Sequence, residues 1–488
     1  MLFNSLIFMF LFLPVVLLGW YIIGGKINKR CAVLFLTAMS LWFYGYANPC
    51  YLILIVASIL INHLCDYAFE RFFGAARKLI LAGCVTINLL ALGYFKYRNF
   101  FVENFCGLFK LSFAMKNIIL PVGISFFTLS CIAYAVDRYK KETEYTDLLT
   151  FAAYVLYFPK LMSGPIVYAQ ELTGSFKGDK VVLSREKLES GVFRFALGLI
   201  KKVLIADTLA LYADYGMGAC YYFDTLSAWV WALAYTLEIY FDFSAYSDMA
   251  IGISGMLGID MPENFNMPYK ARTVKEFWRR WHITLTRFFT KYIYIPLGGN
   301  RRGTARMIVN TVIVFFISGL WHGANWTFII WGLLHAVAIV VSGLIHGRKK
   351  GNAISHIFTM IFVVFAWAIF RADSIETMRV VVKSMLTPSH TGFLKDLCTS
   401  LVNASELYPV IKVLEAKMPS LLLPMYEILT MIVFAVSFAL ITGPDAATRT
   451  RKFIERKPGF WGCLLLAILF VWCVISFSNV TTFLYFTF

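Results

Sequence analysis

Residues Met307 to Gly347 read MIVNTVIVFFISGLWHGANWTFIIWGLLHAVAIVVSGLIHG, with no Lys, Arg, Asp or Glu, and this stretch decides the fold. Arg306 precedes it and Arg348-Lys349-Lys350 follows it. A helix crossing a hydrocarbon core needs about 20 apolar residues, so the stretch predicts a hairpin of two spans bending near Gly323 to Asn325. At about 1.5 Å per helical residue, His322 comes roughly 24 Å after Arg306, which is the outer half of a core about 30 Å thick for an upright helix and nearer the centre for a tilted or inward-sunk one. A proton-exchanging side chain at that depth is costly to leave in lipid and usually lines a cavity or a reaction path. His322 is therefore the first candidate for chemistry.

The rest of the chain extends this pattern. Of 488 residues, 59% are hydrophobic and only 15% charged, more apolar surface than a soluble fold buries. Leu2 to Ile23, Leu79 to Tyr94, Ile428 to Gly443 and Trp461 to Phe477 approach or reach spanning length. The short alternating segments of a membrane barrel are missing from the sequence. The expected fold is all-α, a polytopic transmembrane helical bundle forming one membrane domain over residues 1–488. A polar extracytoplasmic insertion is expected at about 371–424. The first apolar run has no basic lead and no small-residue cleavage site, so it reads as a retained span.

Forty-five basic residues against 28 acidic ones give a net charge of +17. The basic residues gather in short loops, which predicts contact with anionic lipid headgroups and argues against nucleic acid. Lys26, Lys29 and Arg30, then Arg71, Arg77 and Lys78, then Arg138, Lys140 and Lys141 mark cytoplasmic loops, with the N-terminus outside. Lys96, Arg98, Lys110 and Lys116 interrupt that alternation. The ten cysteines are scattered without C-x-x-C spacing and read as small buried hydrophobes. No H-E-x-x-H or His/Cys/carboxylate cluster argues for a metal.

Two central segments carry polar groups. In Glu238-Ile-Tyr-Phe-Asp242-Phe-Ser244-Ala-Tyr-Ser-Asp248, helical spacing stacks Glu238 on Asp242 and Ser244 on Asp248. Such acids face the protein interior, pair with Arg or Lys, or serve as polar glue between helices. Thr273-Val-Lys-Glu276 has the form of a capping box and predicts a helix carrying Phe277-Trp278-Arg279-Arg280-Trp281-His282, with Trp278, His282, Leu285 and Phe289 on one face. Glu276 stands one turn before Arg280, the favourable order for an ion pair. Arg279 and Arg280 read as interface anchors or as a grip on a phosphate-bearing donor. His335 reads as a satisfied core residue, and His63, His346, His356 and His390 show no polar company that makes a site.

Several phrases in order then carry a specific resemblance over most of the chain. They are Pro121-Val-Gly-Ile-Ser-Phe-Phe127, Phe158-Pro-Lys-Leu-Met-Ser-Gly-Pro165, Tyr240 to Gly252, Asn264-Phe-Asn-Met-Pro-Tyr269, Phe277 to His282, Tyr294-Ile-Pro-Leu-Gly-Gly-Asn300, Gly319-Leu-Trp-His-Gly-Ala-Asn-Trp326 and the aromatic tail from Phe483. The chain resembles the bacterial membrane-bound O-acyltransferases, most closely their alginate O-acetylase branch. The resemblance implies that His322 matches the family's essential histidine and His282 its second active-site position, which other branches fill with Asn or Asp. It also implies a funnel-like fold with short or re-entrant helices around a central tunnel.

On that resemblance His322 is expected to act as general base on an acceptor hydroxyl attacking a thioester. His282 is expected to orient the acceptor, polarise the carbonyl or hold the donor. Asn325 is either a donor to the developing oxyanion or a helix cap. Trp321, Trp281, Arg279, Arg280, Asp242, Ser244 and Asp248 complete the candidates for binding substrate or lining the tunnel. No bound cofactor is expected. The resemblance implies acetyl-CoA as cytoplasmic donor, a bacterial inner-membrane location, and an extracytoplasmic partner that places acetyl on an alginate-like polysaccharide. Alternatives are D-alanyl transfer from a carrier protein to teichoic acid, peptidoglycan O-acetylation, an ion- or proton-coupled transporter using the buried acids, and a secretion scaffold.

Overall fold

The structure, a computed structural model, describes residues 1–46, 48–112, 115–346, 351–403, 408–456, 459–479 and 482–484. Its regular elements are all helical among these residues. Seven helices are long and apolar enough to cross a membrane, among them Phe8–Lys26, Tyr51–Arg71, Thr304–His322, Ala353–Arg371 and Pro419–Thr442. The all-α polytopic expectation is borne out. Phe460–Ile475 is a shorter apolar helix. The basic cluster Arg348-Lys349-Lys350 and the end of the aromatic tail lie outside the described residues, as does the His346 side chain.

By internal contacts the chain forms two compact units. The first comprises Met1–Phe195, Met249–Glu263 and Arg287–Tyr292. Polar side chains tie its helices together. Asn62 and Asn88 exchange amide hydrogen bonds at 3.2 and 2.8 Å across their helices, which satisfies groups that hydrocarbon leaves unpaired. Arg138, 5% exposed, pairs with Asp66 and Glu70, and Tyr134 donates to Asp66. In Phe158–Leu161, buried Lys160 donates to Ser130 Oγ at 3.2 Å and lies 4.0 Å from the Tyr154 ring centroid. A side chain at Gly191 or Gly252 would strike backbone of the opposing helix, so both positions hold the residue that lets two helices touch.

The second unit comprises Ala196–Asp248, Asn264–Thr286 and Ile293–Phe488. The decisive stretch forms the expected hairpin, helix Thr304–His322 followed by helix Trp326–His346. Gly319 and Gly332 set their approach, since a Cβ on Gly319 would run into the Phe328 carbonyl and one on Gly332 into the Phe315 carbonyl. The turn at Gly323 is equally tight, because a Cβ there would meet the Phe328 ring.

The polar region after Arg371 folds into helices Ile375–Leu386, Leu394–Thr399 and Tyr408–Lys417. It is stitched to the start of helix Thr225–Met256. Asp224 accepts from the Thr391 and Gly392 amides at 2.9 and 3.1 Å, and Thr225 Oγ1 donates to the Thr387 carbonyl at 2.8 Å.

Candidate active site

The local fold around His282 departs from its expected helical setting. Thr273 does cap helix Val274–Arg280, its Oγ1 accepting from the Glu276 amide at 3.2 Å. The Glu276 carboxylate, however, accepts from the Arg272 amide at 2.9 Å, one residue before the cap. It also pairs with Arg280 at 2.8 Å, as the spacing predicts. The helix stops at Arg280, and a second one begins at Ile283. Between them His282 has φ 42°, the left-handed region that a branched or bulky L residue occupies only under constraint. Trp278 and His282 therefore do not share one helical face.

The constraint comes from the segment around Asn264. Backbone bonds bracket the break, Asn266 N to Arg280 O and Ile283 N to Asn264 O, both 2.9 Å. Inside that bracket Asn264 Oδ1 accepts from the Thr284 amide at 3.3 Å and the Thr284 hydroxyl at 2.9 Å, and lies 3.0 Å from His282 Nδ1. A backbone amide can only donate, so this atom of Asn264 is its oxygen and His282 Nδ1 must bring the proton to their bond. A neutral His282 thus carries hydrogen on Nδ1 and its lone pair on Nε2. Asn264 Nδ2 in turn donates to Ser247 Oγ at 3.2 Å.

His322 ends its helix, 4% exposed, in an aromatic shell. Its ring lies 5.0 Å from Trp321, 5.1 Å from Trp331 and 5.3 Å from Phe370, all edge-on. His282 is fully buried, 4.7 Å from the Phe243 ring and 6.2 Å from Trp321. Both imidazoles therefore border the same indole. Trp281 packs between Phe265 and Trp367, at 5.1 and 4.9 Å. His335 lies fully buried and accepts from Trp278 Nε1 at 3.1 Å, in keeping with a core role.

The remaining candidates fall into other settings. Arg279 is exposed. Arg280 is engaged with Glu276 and the Asn266 carbonyl. Asn325 precedes helix Trp326–His346, its Oδ1 accepting from the Thr327 amide at 3.2 Å while its Nδ2 donates to the Asp373 carbonyl at 2.6 Å. That is helix-cap geometry.

Asp242, Ser244 and Asp248 line up on helix Thr225–Met256 and meet two adjacent lysines. Lys201 lies 2.6 Å from Asp248 and 3.4 Å from Ser244 Oγ. Lys202, 1% exposed, lies 2.7 Å from Asp242 and 2.8 Å from Asp207. Both lysines open a π-helical turn, Lys201–Ala206, the wide turn that often marks functional sites. The tail joins this cluster: the Leu484 amide donates to Asp242 Oδ2 at 2.9 Å, and the Phe483 ring covers Lys202 at 4.6 Å.

Sequence reasoning passed over Asn264, Lys201 and Lys202. The lysines did leave a signal, two adjacent cations inside the apolar run Phe195 to Ala206. Asn264 left none beyond its place in a motif, because its partner is 18 residues away across a backbone break.

Comparison with known proteins bears on this geometry. Residues 81–378 match the model of the membrane-bound O-acyltransferase family. The chain is 40% identical to the peptidoglycan O-acetyltransferase of Helicobacter pylori over 420 residues, covering 79% of this chain and 80% of that protein. It is also 40% identical to the probable alginate O-acetylase AlgI of Pseudomonas aeruginosa over 391 residues, 77% and 73% of the two chains. The teichoic acid D-alanyltransferase of Bacillus subtilis is 27% identical over 278 residues, 52% of this chain and 69% of that protein. A chain with these likenesses, and with seven helices among its described residues long and apolar enough to cross a membrane, belongs to the membrane-bound O-acyltransferase family and is a multi-pass membrane enzyme that transfers acyl groups to oxygen.

Proposed function

We propose that the protein takes acetyl from cytoplasmic acetyl-CoA and passes it across the bacterial inner membrane for O-acetylation of an extracytoplasmic polysaccharide, with an extracytoplasmic partner completing the transfer. The observation that carries this reading is the pair of buried imidazoles bordering the Trp321 indole. Acetyl is favoured over D-alanyl because the relatives named for acetyl transfer are 40% identical and the D-alanyl transferase 27%. The alginate-type and peptidoglycan-type relatives support an extracytoplasmic glycan about equally.

In this mechanism His322 accepts the proton of the acceptor hydroxyl as its oxygen attacks the thioester carbonyl. The tetrahedral adduct collapses by breaking the C–S bond, and the imidazolium returns its proton to the leaving sulfur. The products are an O-acetyl ester and free CoA thiol, with no net change in protons. His282, its lone pair directed to Nε2 by Asn264, holds the acceptor hydroxyl or the donor in line. The aromatic shell around the two rings limits access of water that would hydrolyse the thioester.

Glycan acetylation in cells carrying His322→Ala or His282→Ala, with membrane abundance measured alongside, tests the proposal. Loss of acetylation at normal abundance is expected. Full acetylation by an abundant His322→Ala protein would refute the catalytic role, and acetylation lost without any change in thiol release would move the defect to the partner.

A further inference from the structure

Within the second unit a cavity of about 620 Å³ lies where the start of helix Thr225–Met256, helix Leu394–Thr399 and one side of helix Leu422–Thr442 meet. Its lining is graded in polarity. Asp224 and Glu427 stand where the two long helices begin, with His390 and Lys395 beside them. Beyond that end the wall is apolar: Leu226, Val230 and Leu233 follow at helical spacing on one helix, and Met431, Phe434 and Phe438 on the other. The run from Glu427 to Phe438 covers about 16 Å at 1.5 Å per helical residue, close to half of a hydrocarbon core about 30 Å thick. A polar mouth above an apolar slot one leaflet deep is the outline of a lipid.

The charges at the mouth are unevenly used. Asp224 accepts from the amides of Ser227, Thr391 and Gly392 at 2.8, 2.9 and 3.1 Å and lies 3.6 Å from His390 Nδ1. Lys395 and Glu427 enter no ion pair among the described residues. One cation and one anion are thus left open at the head of the slot, a pattern complementary to a headgroup that carries both signs. The width argues against a polypeptide occupant, since a helix about 10 Å across would fill roughly 1,200 Å³ over the same length.

We propose that this cavity binds a zwitterionic membrane phospholipid of the phosphatidylethanolamine class, with one acyl chain along Met431, Phe434 and Phe438, its phosphate at Lys395 and its ammonium at Glu427. The site is independent of the acyl-transfer chemistry. The chain covers apolar side chains, and the two ends of the headgroup each meet an open charge of opposite sign. Phosphatidylglycerol brings the phosphate without an ammonium, which sets its negative charge against an unanswered Glu427, and like charges at close range repel. Because Lys395 sits on the helix that follows the Thr391 and Gly392 bonds to Asp224, the bound lipid ties the polar region after Arg371 to the bilayer.

The test uses the full-length protein in nanodiscs of mixed phosphatidylethanolamine and phosphatidylglycerol, doped with one or the other lipid carrying a photoreactive diazirine on its acyl chain, and maps the crosslinked peptides by mass spectrometry. The phosphatidylethanolamine probe is expected to label the segments bearing Met431, Phe434 and Phe438 roughly tenfold more than the phosphatidylglycerol probe does. Met431→Trp, at an exposed position, is expected to fill the slot and remove most of that labelling. Lys395→Glu is expected to weaken it, and Glu427→Gln to bring the two probes level. Labelling spread evenly over the apolar spans overturns the proposal, as does equal labelling of the wild type by the two probes, labelling unmoved by Met431→Trp, or a transmembrane polypeptide crosslinked there in place of lipid. The wild-type comparison of the two probes decides the matter even if a variant fails to fold. His322→Ala is expected to keep the labelling, so failure of the catalytic reading remains separable from failure of this one.

Discussion

Two regions of the second unit handle buried polar groups in opposite ways. Around Trp321 the polar groups are imidazoles, His282 and His322, enclosed by aromatic rings, with His282 held by the Asn264 amide. Around helix Thr225–Met256 they are charges, Asp242 and Asp248, each matched by a lysine within 2.7 Å. An unpaired charge is far more costly to bury than a neutral ring. Asp242 and Asp248 are therefore held in place by their counter-ions, and once paired they are poor proton carriers. A neutral imidazole needs no counter-ion to be buried and can still exchange a proton. Of the acids that the transporter alternative needs as a relay, Asp242 and Asp248 are held by Lys202 and Lys201.

That contrast can be broken most severely at His322. Thiol release from acetyl-CoA by His322→Gln membranes is expected to fall by about 10²–10⁴-fold, the usual contribution of a general base, with thermal unfolding unchanged. A variant that lost stability instead would put His322 with the structural charges.

Lys202→Met probes the other side. It strands Asp242 and Asp207, and breaking a buried pair costs about 3–5 kcal/mol, read as a lowered unfolding midpoint in detergent. Lys202→Met combined with Asp242→Leu should recover part of that loss. An unchanged midpoint in the single variant would show that the cluster needs no cation.

A smaller effect is expected at the hinge of the aromatic region. Asn264→Ala leaves buried donors on His282 and Thr284 without their acceptor, at about 1–3 kcal/mol. Expressed in the transition state, that is roughly a 5- to 150-fold loss of acyl transfer. Normal turnover in this variant would mean that the His282 tautomer is held by something other than Asn264.

The mildest prediction concerns pH at the polar region after Arg371. Burial alone would raise the Asp224 carboxyl, but hydrogen bonds from Ser227, Thr391 and Gly392 outweigh it and hold it well below the usual carboxylate range. A depressed carboxyl stabilises the fold above its unfolded pKa near 3.9, and that contribution fades as pH falls toward the folded value. Wild-type unfolding midpoints should therefore drop between about pH 5 and strongly acidic conditions more than those of Asp224→Asn. Parallel pH profiles would remove Asp224 as the anchor.

Much of the architecture was legible in the chain because it depends on local runs. Apolar length produced the spans, and the hairpin from Met307 onward follows from its basic ends and Gly323. The Glu276–Arg280 pair follows from one helical turn. The His282 environment was misread for a reason equally physical: the 3.6-residue period assumes an unbroken helix, and the left-handed residue that breaks it is set by hydrogen bonds to Asn264 and Asn266.

By itself the sequence determined an all-helical membrane enzyme, its spans, and the identity of two histidines too polar for their surroundings. Only the tertiary structure decided what those groups face: Asn264 on His282, Lys202 on Asp242 from 40 residues away, and the tail amide of Leu484 on the same carboxylate from 242 residues away. Helical propensity and apolar periodicity act over a few turns and so are written along the chain. Neutralising a buried charge or fixing a tautomer requires a partner in space, whose place along the chain leaves no periodic trace.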